Sequence, residues 1–114
     1  MSELSKAARK AIRDAASIAY ERELADALKD LAQTFEDWKA GSLAAFDVSD
    51  AVHEFHQGEA RELFKQYQAG SNSVRDFAVA AAVADGFMKL EEIAPAGRDH
   101  IAKIVEFISS ERRK

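Results

Sequence analysis

The chain contains no cysteine and only one proline, Pro95, among its 114 residues. Without cysteine it cannot form a disulfide, a thiolate zinc site or a cysteine nucleophile. The absence also fits a reducing compartment such as the cytoplasm. Proline and glycine are the residues that most disfavour helix interiors, and with only five glycines the chain has long stretches free of both. The composition therefore favours an all-α protein.

Long apolar runs are missing as well. The longest uncharged apolar run covers residues 77–84, far short of the roughly 20 residues that a membrane helix needs. The basic N-terminus lacks the apolar segment of a secretory signal. Apolar residues make up 47% and charged residues 32% of the chain, a balance typical of one globular domain with a single core. We expect one helical domain, 1–114, in the cytoplasm and without membrane contact.

Hydrophobic periodicity predicts an all-α, four-helix, bundle-like domain. A left-handed Gly41 would end the first helix, Asp47 would cap the second, and a Ser73–Asp76 pair would cap the third. Pro95 suits the first turn of the fourth. The predicted helices cover residues 4–39, 48–67, 74–88 and 95–111.

The first helix is unusually long for so small a chain. Its apolar residues recur at gaps of three or four through Tyr20, Leu24, Leu28, Leu31, Phe35 and Trp38. If continuous, it spans about 50 Å, whereas a compact domain of this size is roughly 30 Å across. Residues 1–20 would then project and self-associate, unless the helix breaks near Ser17 and folds back. The predicted self-association residues are Leu4, Ala8, Ala11, Ala15 and Ile18.

Four basic residues form a stripe on the opposite face of the same segment: Lys6, Arg9, Lys10 and Arg13. Such a stripe is either a solvated face or a binding site for an anionic partner, nucleic acid or an acidic protein surface. The formal net charge of −4 argues against nucleic-acid binding by the whole domain.

The second predicted helix carries two of the three histidines beside several carboxylates. Residues three apart in a helix are neighbours, so a divalent metal could be bound there by His53 and His56 with Asp50 or Glu59. The spacing differs from the H-E-x-x-H of zinc proteases, and the chain has no second carboxylate–histidine motif of the kind that di-iron bundles need. The alternative is that His56 and Glu59 satisfy each other in the core. Gly58 between them predicts a kink or a close backbone approach. His100 is expected to be exposed.

A segment from Trp38 to Leu63 resembles a pattern in small, uncharacterised bacterial helical proteins. The matching residues are Trp38, Gly41, Phe46, Ser49, Asp50, His53, Glu54, Phe55, His56, Gly58, Arg61, Glu62 and Leu63. The resemblance implies an all-α fold and no activity.

No catalytic motif or glycine-rich phosphate loop appears in the sequence. We therefore expect a non-enzymatic interaction or regulatory protein, an adaptor or an antitoxin-like component, that forms a homodimer through its first helix. An unidentified protein partner is also compatible with this prediction. We expect no cofactor. The alternatives are a metal-binding protein or metalloenzyme that uses His53 and His56, and a nucleic-acid-associated protein that uses the basic stripe.

Overall fold

The computed structural model describes residues 3–114. Within them the chain forms five α-helices and no strand. The segment after α3 continues as a π-helix, Lys65–Ala69, and a 3₁₀ turn, Leu90–Glu92, precedes the last helix. The α-helices are α1 Lys6–Lys39, α2 Ala45–Gln57, α3 Glu59–Phe64, α4 Asn72–Ala84 and α5 Pro95–Arg112. None of the helices in this part of the chain has the length and apolar character needed to cross a membrane.

The predicted all-α, bundle-like fold is confirmed. The first helix runs without a break from Lys6 to Lys39, and Gly41 has the predicted positive φ of 86°. The second predicted helix is interrupted at Gly58, so that α2 ends at Gln57 and α3 begins at Glu59. The sequence predicted a kink or a close backbone approach at this glycine. A Cβ at this position would lie only 2.7 Å from the carbonyl oxygen of Glu54, so the local backbone path requires glycine.

Two predicted caps lie elsewhere. Helix α2 begins three residues earlier than expected, and Asp47 accepts a hydrogen bond from the backbone N–H of Ala44 from inside the first turn, at 3.3 Å. Helix α4 is capped by Ser71, whose hydroxyl accepts from the Val74 N–H at 3.2 Å. Asp76 is therefore free of the capping role that we predicted for it.

The core lies between the N-terminal half of α1 and helices α4 and α5. Alanines on α1 permit close approach, and Gly97 of α5 lies directly against that helix. A Cβ on Gly97 would be 3.0 Å from the Cβ of Ala11 and 3.1 Å from Cγ1 of Ile12. We call this part of the protein, residues 3–19 and 65–114, the body.

The prediction that residues 1–20 project from the domain is wrong for the residues that the structure describes. Three of the expected self-association residues are buried in the core of their own chain, and the other two pack against it. The buried residues are Ala8, Ala11 and Ala15, and the flanking ones are Leu4 and Ile18. Small alanines permit close approach of a second copy, but in this fold α4 and α5 already cover them. Met1 and Ser2 lie outside the described residues.

The opposite half of α1 is the part that extends beyond the core. Residues 20–39 lie beside α2 and α3 and form with them a hairpin, residues 20–64, which we call the arm. Only its base contacts the rest of the chain among the described residues, through Tyr20, Arg22 and Glu23. The described chain measures 57 × 30 × 22 Å, with a radius of gyration of 17.2 Å, whereas a compact chain of this length would have about 13 Å. The length of α1 was predicted correctly, and the projecting end was not.

Candidate functional site

One carboxylate, Asp76 on α4, is buried in the body, with 3% of its surface exposed. The guanidinium of Arg9 donates to both carboxylate oxygens, at 3.2 and 3.0 Å. The Nε2 atom of His100 lies 3.0 Å from Oδ2. A buried charge is stable only when it is paired and hydrogen-bonded, and these two partners from α1 and α5 meet that condition. The cluster therefore fastens three helices together.

A groove of about 960 Å³ opens beside this cluster. Its apolar surface comes from Leu4, Phe77 and Ile104, and its charged rim includes cations and carboxylates in equal number. The cations are Arg9, Arg13 and Lys103, and the carboxylates are Glu3, Asp76 and Asp99. Since the opposite charges balance, the groove selects neither an anion nor a cation. The cluster is best explained as a structural ion pair.

The role of Asp76 could not be read from the sequence. A carboxylate just before an apolar run at a helix start looks like a capping residue, and His100 looked like an exposed residue. Their meeting depends on α5 packing beside α4, a tertiary contact for which neither segment carries a local signal. The Asp76 that begins an otherwise apolar stretch was the only hint available.

A second polar contact lies where the arm joins the body. The buried hydroxyl of Tyr67 donates to the carboxylate of Glu23 and lies 3.2 Å from the carbonyl oxygen of Ala78. Burial raises the pKa of Glu23, and the hydrogen bond from Tyr67 opposes that effect. Burial and the neighbouring carboxylate both raise the pKa of Tyr67. The Tyr67 ring stacks on that of Tyr20, with 5.5 Å between centroids, so this contact fixes the base of the arm.

The arm has one apolar side. At about 100° per residue, Leu28 and Phe35 lie roughly 80° and 60° from Tyr20 in one rotational sense. Tyr20 itself borders a hollow of about 350 Å³ that also contacts His56 and Phe64. Large apolar side chains on this side remain well exposed, Leu28 by 42% and Trp38 by 43%. We call this surface the apolar side; its residues are Tyr20, Leu28, Phe35, Trp38, Val52 and Phe64.

The other side of the arm is acidic. Glu23 and Asp30 lie roughly 60° and 80° from Tyr20 in the opposite rotational sense. Two shallow hollows on this side are bordered by six carboxylates, which come from both layers of the hairpin. We call it the acidic side; its carboxylates are Glu23, Asp26, Asp30, Glu54, Glu59 and Glu62. The two sides of one hairpin thus differ sharply in polarity.

The charge of the chain is divided between the two parts. The arm holds eleven carboxylates and four Lys or Arg residues, a formal charge of −7, so the remaining residues carry +3 of the net −4. Six of those eleven carboxylates border the acidic side.

The predicted metal ligands do not come together. Among residues 3–114, no three His, Asp or Glu side chains are grouped so that they could hold a metal ion. The candidates His53, His56, Asp50 and Glu59 are all exposed. The alternative, a core pair of His56 and Glu59, is also not formed within residues 3–114. The break at Gly58 places Glu59 in a separate helix, on the acidic side of the arm.

The predicted basic stripe is partly occupied by contacts within the chain. Arg9 binds Asp76, and Lys10 lies 2.7 Å from Asp14. Lys6 and Arg13 form no ion pair within the described residues. The stripe is therefore weaker as a site for a polyanion than its sequence suggested.

No family model, curated protein or solved structure matches this chain. The resemblance of the Trp38–Leu63 segment to small bacterial helical proteins stays a prediction.

Proposed function

We propose that the chain is a non-enzymatic, cytoplasmic interaction protein that self-associates through its long first helix, and that the contact surface is the apolar side of the arm. The observation that carries the proposal is the exposure of large side chains along a hairpin that has only one layer. Two packed helices bury one face each, and the arm lacks the second layer that helix bundles use to cover the remaining apolar surface.

A second copy of the chain is the occupant that fits this surface best. The apolar side runs from residue 20 to residue 38, about 27 Å at 1.5 Å per residue, and two helices of about 10 Å each give it a width of roughly 20 Å. Pairing two such sides would bury roughly 1,000 Å² in total, which is near the lower limit for a specific interface. Two hairpins packed in this way form a four-helix bundle, the commonest helical solution for such surfaces.

Charge supports the choice of side. An acidic surface repels a second copy of itself, and here most of the arm's carboxylates border the opposite side of the hairpin. The centre of a protein interface is usually depleted of charged residues and rich in aromatic ones. Phe35, Trp38 and Phe64 give the apolar side that character. A dimer with the apolar sides inward leaves the acidic sides in water.

The proposal is tested by sedimentation velocity over protein concentrations from about 1 to about 300 µM, the range in which a small interface dissociates. We expect a reversible monomer–dimer equilibrium for the natural chain. Leu28→Glu/Phe35→Glu places two charges in the interface and should leave only monomer, because a buried unpaired charge is strongly unfavourable. Phe107→Glu is the matched control, since Phe107 lies on the body and is 58% exposed. This variant should dimerise normally. A natural chain that stays monomeric throughout would refute the proposal.

A further inference from the structure

We infer that the outer arm is a separate folding unit that opens while the body stays folded, and that pairing with a second copy holds it closed. The opening follows from the single chain, and its closure by a second copy rests on the proposed function. Buried side chains are divided very unequally between the two parts. Sixteen hydrophobic residues are buried among residues 3–114, and fifteen of them belong to the body. The arm has only Val48, which is 8% exposed.

The two layers of the arm are held together weakly. The side chains that border the hollow between them are only half-buried in the case of Ala27, Leu31, Ala51 and Phe55. Within the described chain, no side-chain hydrogen bond or ion pair joins the outer part of α1 to α2. Because apolar burial is the main favourable term in folding, these layers gain little free energy to offset the conformational entropy that they lose.

Helix α2 depends on that weak contact. It has 13 residues, a length at which an isolated helix is marginal in water. Glycines bound it on both sides, since Gly41 lies in the turn after α1 with a φ of 86° and Gly58 separates α2 from α3. No neighbouring helix therefore continues into α2 and supports it. When α2 separates from α1, its helical structure is lost as well.

Contacts at the base of the arm limit the opening. On α1, Glu23 accepts from the hydroxyl of Tyr67, and Arg22 donates to both carboxylate oxygens of Glu92 at 2.9 and 2.7 Å. In the other layer, α3 continues directly into the π-helix that carries the buried Tyr67. Beyond these contacts, residues 24–57 form no side-chain hydrogen bond or ion pair with the body in the described chain. We call residues 24–57 the outer arm.

A second copy closes the outer arm because the proposed contact surface includes both layers. Leu28 and Phe35 belong to α1, whereas Val52 belongs to α2. The complete apolar side therefore exists only while the layers are together. A partner that binds only the closed form shifts the equilibrium towards it. Dimerisation should thus stabilise the layers that a single chain holds weakly.

Amide hydrogen exchange, followed by mass spectrometry, tests this inference in the natural chain. At about 1 µM, where a small interface is dissociated, amides of α2 should exchange about a hundredfold or more faster than those of α5. Ile101→Val shortens a fully buried side chain of the body, so it should speed exchange in α5 by about severalfold and leave α2 unchanged. Val48→Ala is the matched variant in the arm and should speed exchange in α2.

The outcomes separate this inference from the proposed function. Equal protection of α2 and α5, or equal acceleration of both by Ile101→Val, would show one cooperative unit and refute the separate opening. Raising the concentration until sedimentation shows mainly dimer should slow exchange in α2 about tenfold or more. If α2 exchanges at the same rate in the dimer, closure by a second copy is refuted and the proposed function stands. A chain that stays monomeric refutes the proposed function and the closure, whereas the comparison of α2 with α5 still decides the opening.

Discussion

Replacing Asp76 by alanine should lower the free energy of unfolding by about 2–4 kcal/mol. Removing one partner of a buried ion pair typically costs about 3–5 kcal/mol, since the remaining charge is left unpaired. Here the orphaned partners keep part of their hydration, because the side chains of Arg9 and His100 are 26% and 35% exposed. That exposure brings the expected loss below the value for a fully buried pair.

Urea denaturation followed by far-UV circular dichroism measures this loss, at a protein concentration low enough to exclude the dimer. Asp14→Ala is the matched control, because it removes an exposed helical ion pair with Lys10 and should cost less than about 1 kcal/mol. In the double variant Arg9→Met/Asp76→Leu no charge of the Arg9–Asp76 pair remains, so it should be more stable than Asp76→Ala. A loss below about 1 kcal/mol for Asp76→Ala, equal to that of Asp14→Ala, would refute the assignment of this cluster as the fastening of the three helices.

Three further variants test the rest of the fold. Ile12 is fully buried, so Ile12→Ala should cost about 2–5 kcal/mol in urea denaturation; a negligible loss would contradict the burial of this half of α1. Burial raises the pKa of Glu23 in the folded chain, so ionisation of this carboxyl opposes folding as pH rises through that pKa. Glu23→Gln can still accept the hydrogen bond from Tyr67. The variant should therefore be more stable than the natural chain at neutral pH and equally stable in acid. The hydrogen bond from Arg22 lowers the pKa of Glu92 to about 2 from its usual 4.5. The natural chain should therefore be more stable than Glu92→Gln, with the full difference above pH 4.5 and none as pH falls towards 2. A difference in stability that does not depend on pH would contradict this contact.

The helical architecture could be predicted because it depends on local signals. Apolar spacing and the absence of helix breakers determine α1, and Gly41 and Gly58 mark its end and the interruption of the next helix. The residue that caps each helix does not follow from local signals alone. Ser71 and Ser73 are both adequate capping residues, and the choice between them depends on where α4 must begin in order to place Asp76 in the core.

The position of the core along α1 could not be predicted in the same way. The alanine-rich segment around Ala11 and the leucine-rich segment around Leu28 are both amphipathic, and the prediction had the alanine-rich segment project. The structure places the alanines inside, because Gly97 and the alanines of α4 allow three helices to approach closely there. Bulky residues such as Phe35 and Trp38 are left on the arm, and the sequence does not reveal how many layers cover a helix.

The most direct test of arm-mediated self-association uses the one tryptophan of the chain. Trp38 lies at the tip of the apolar side and is 43% exposed in the single chain, so its fluorescence reports on that surface alone. As protein concentration rises through the micromolar range, the account predicts that its emission shifts to shorter wavelength and becomes less accessible to iodide, and that Leu28→Glu/Phe35→Glu abolishes both changes. Emission and quenching that are independent of concentration in the natural chain would contradict it.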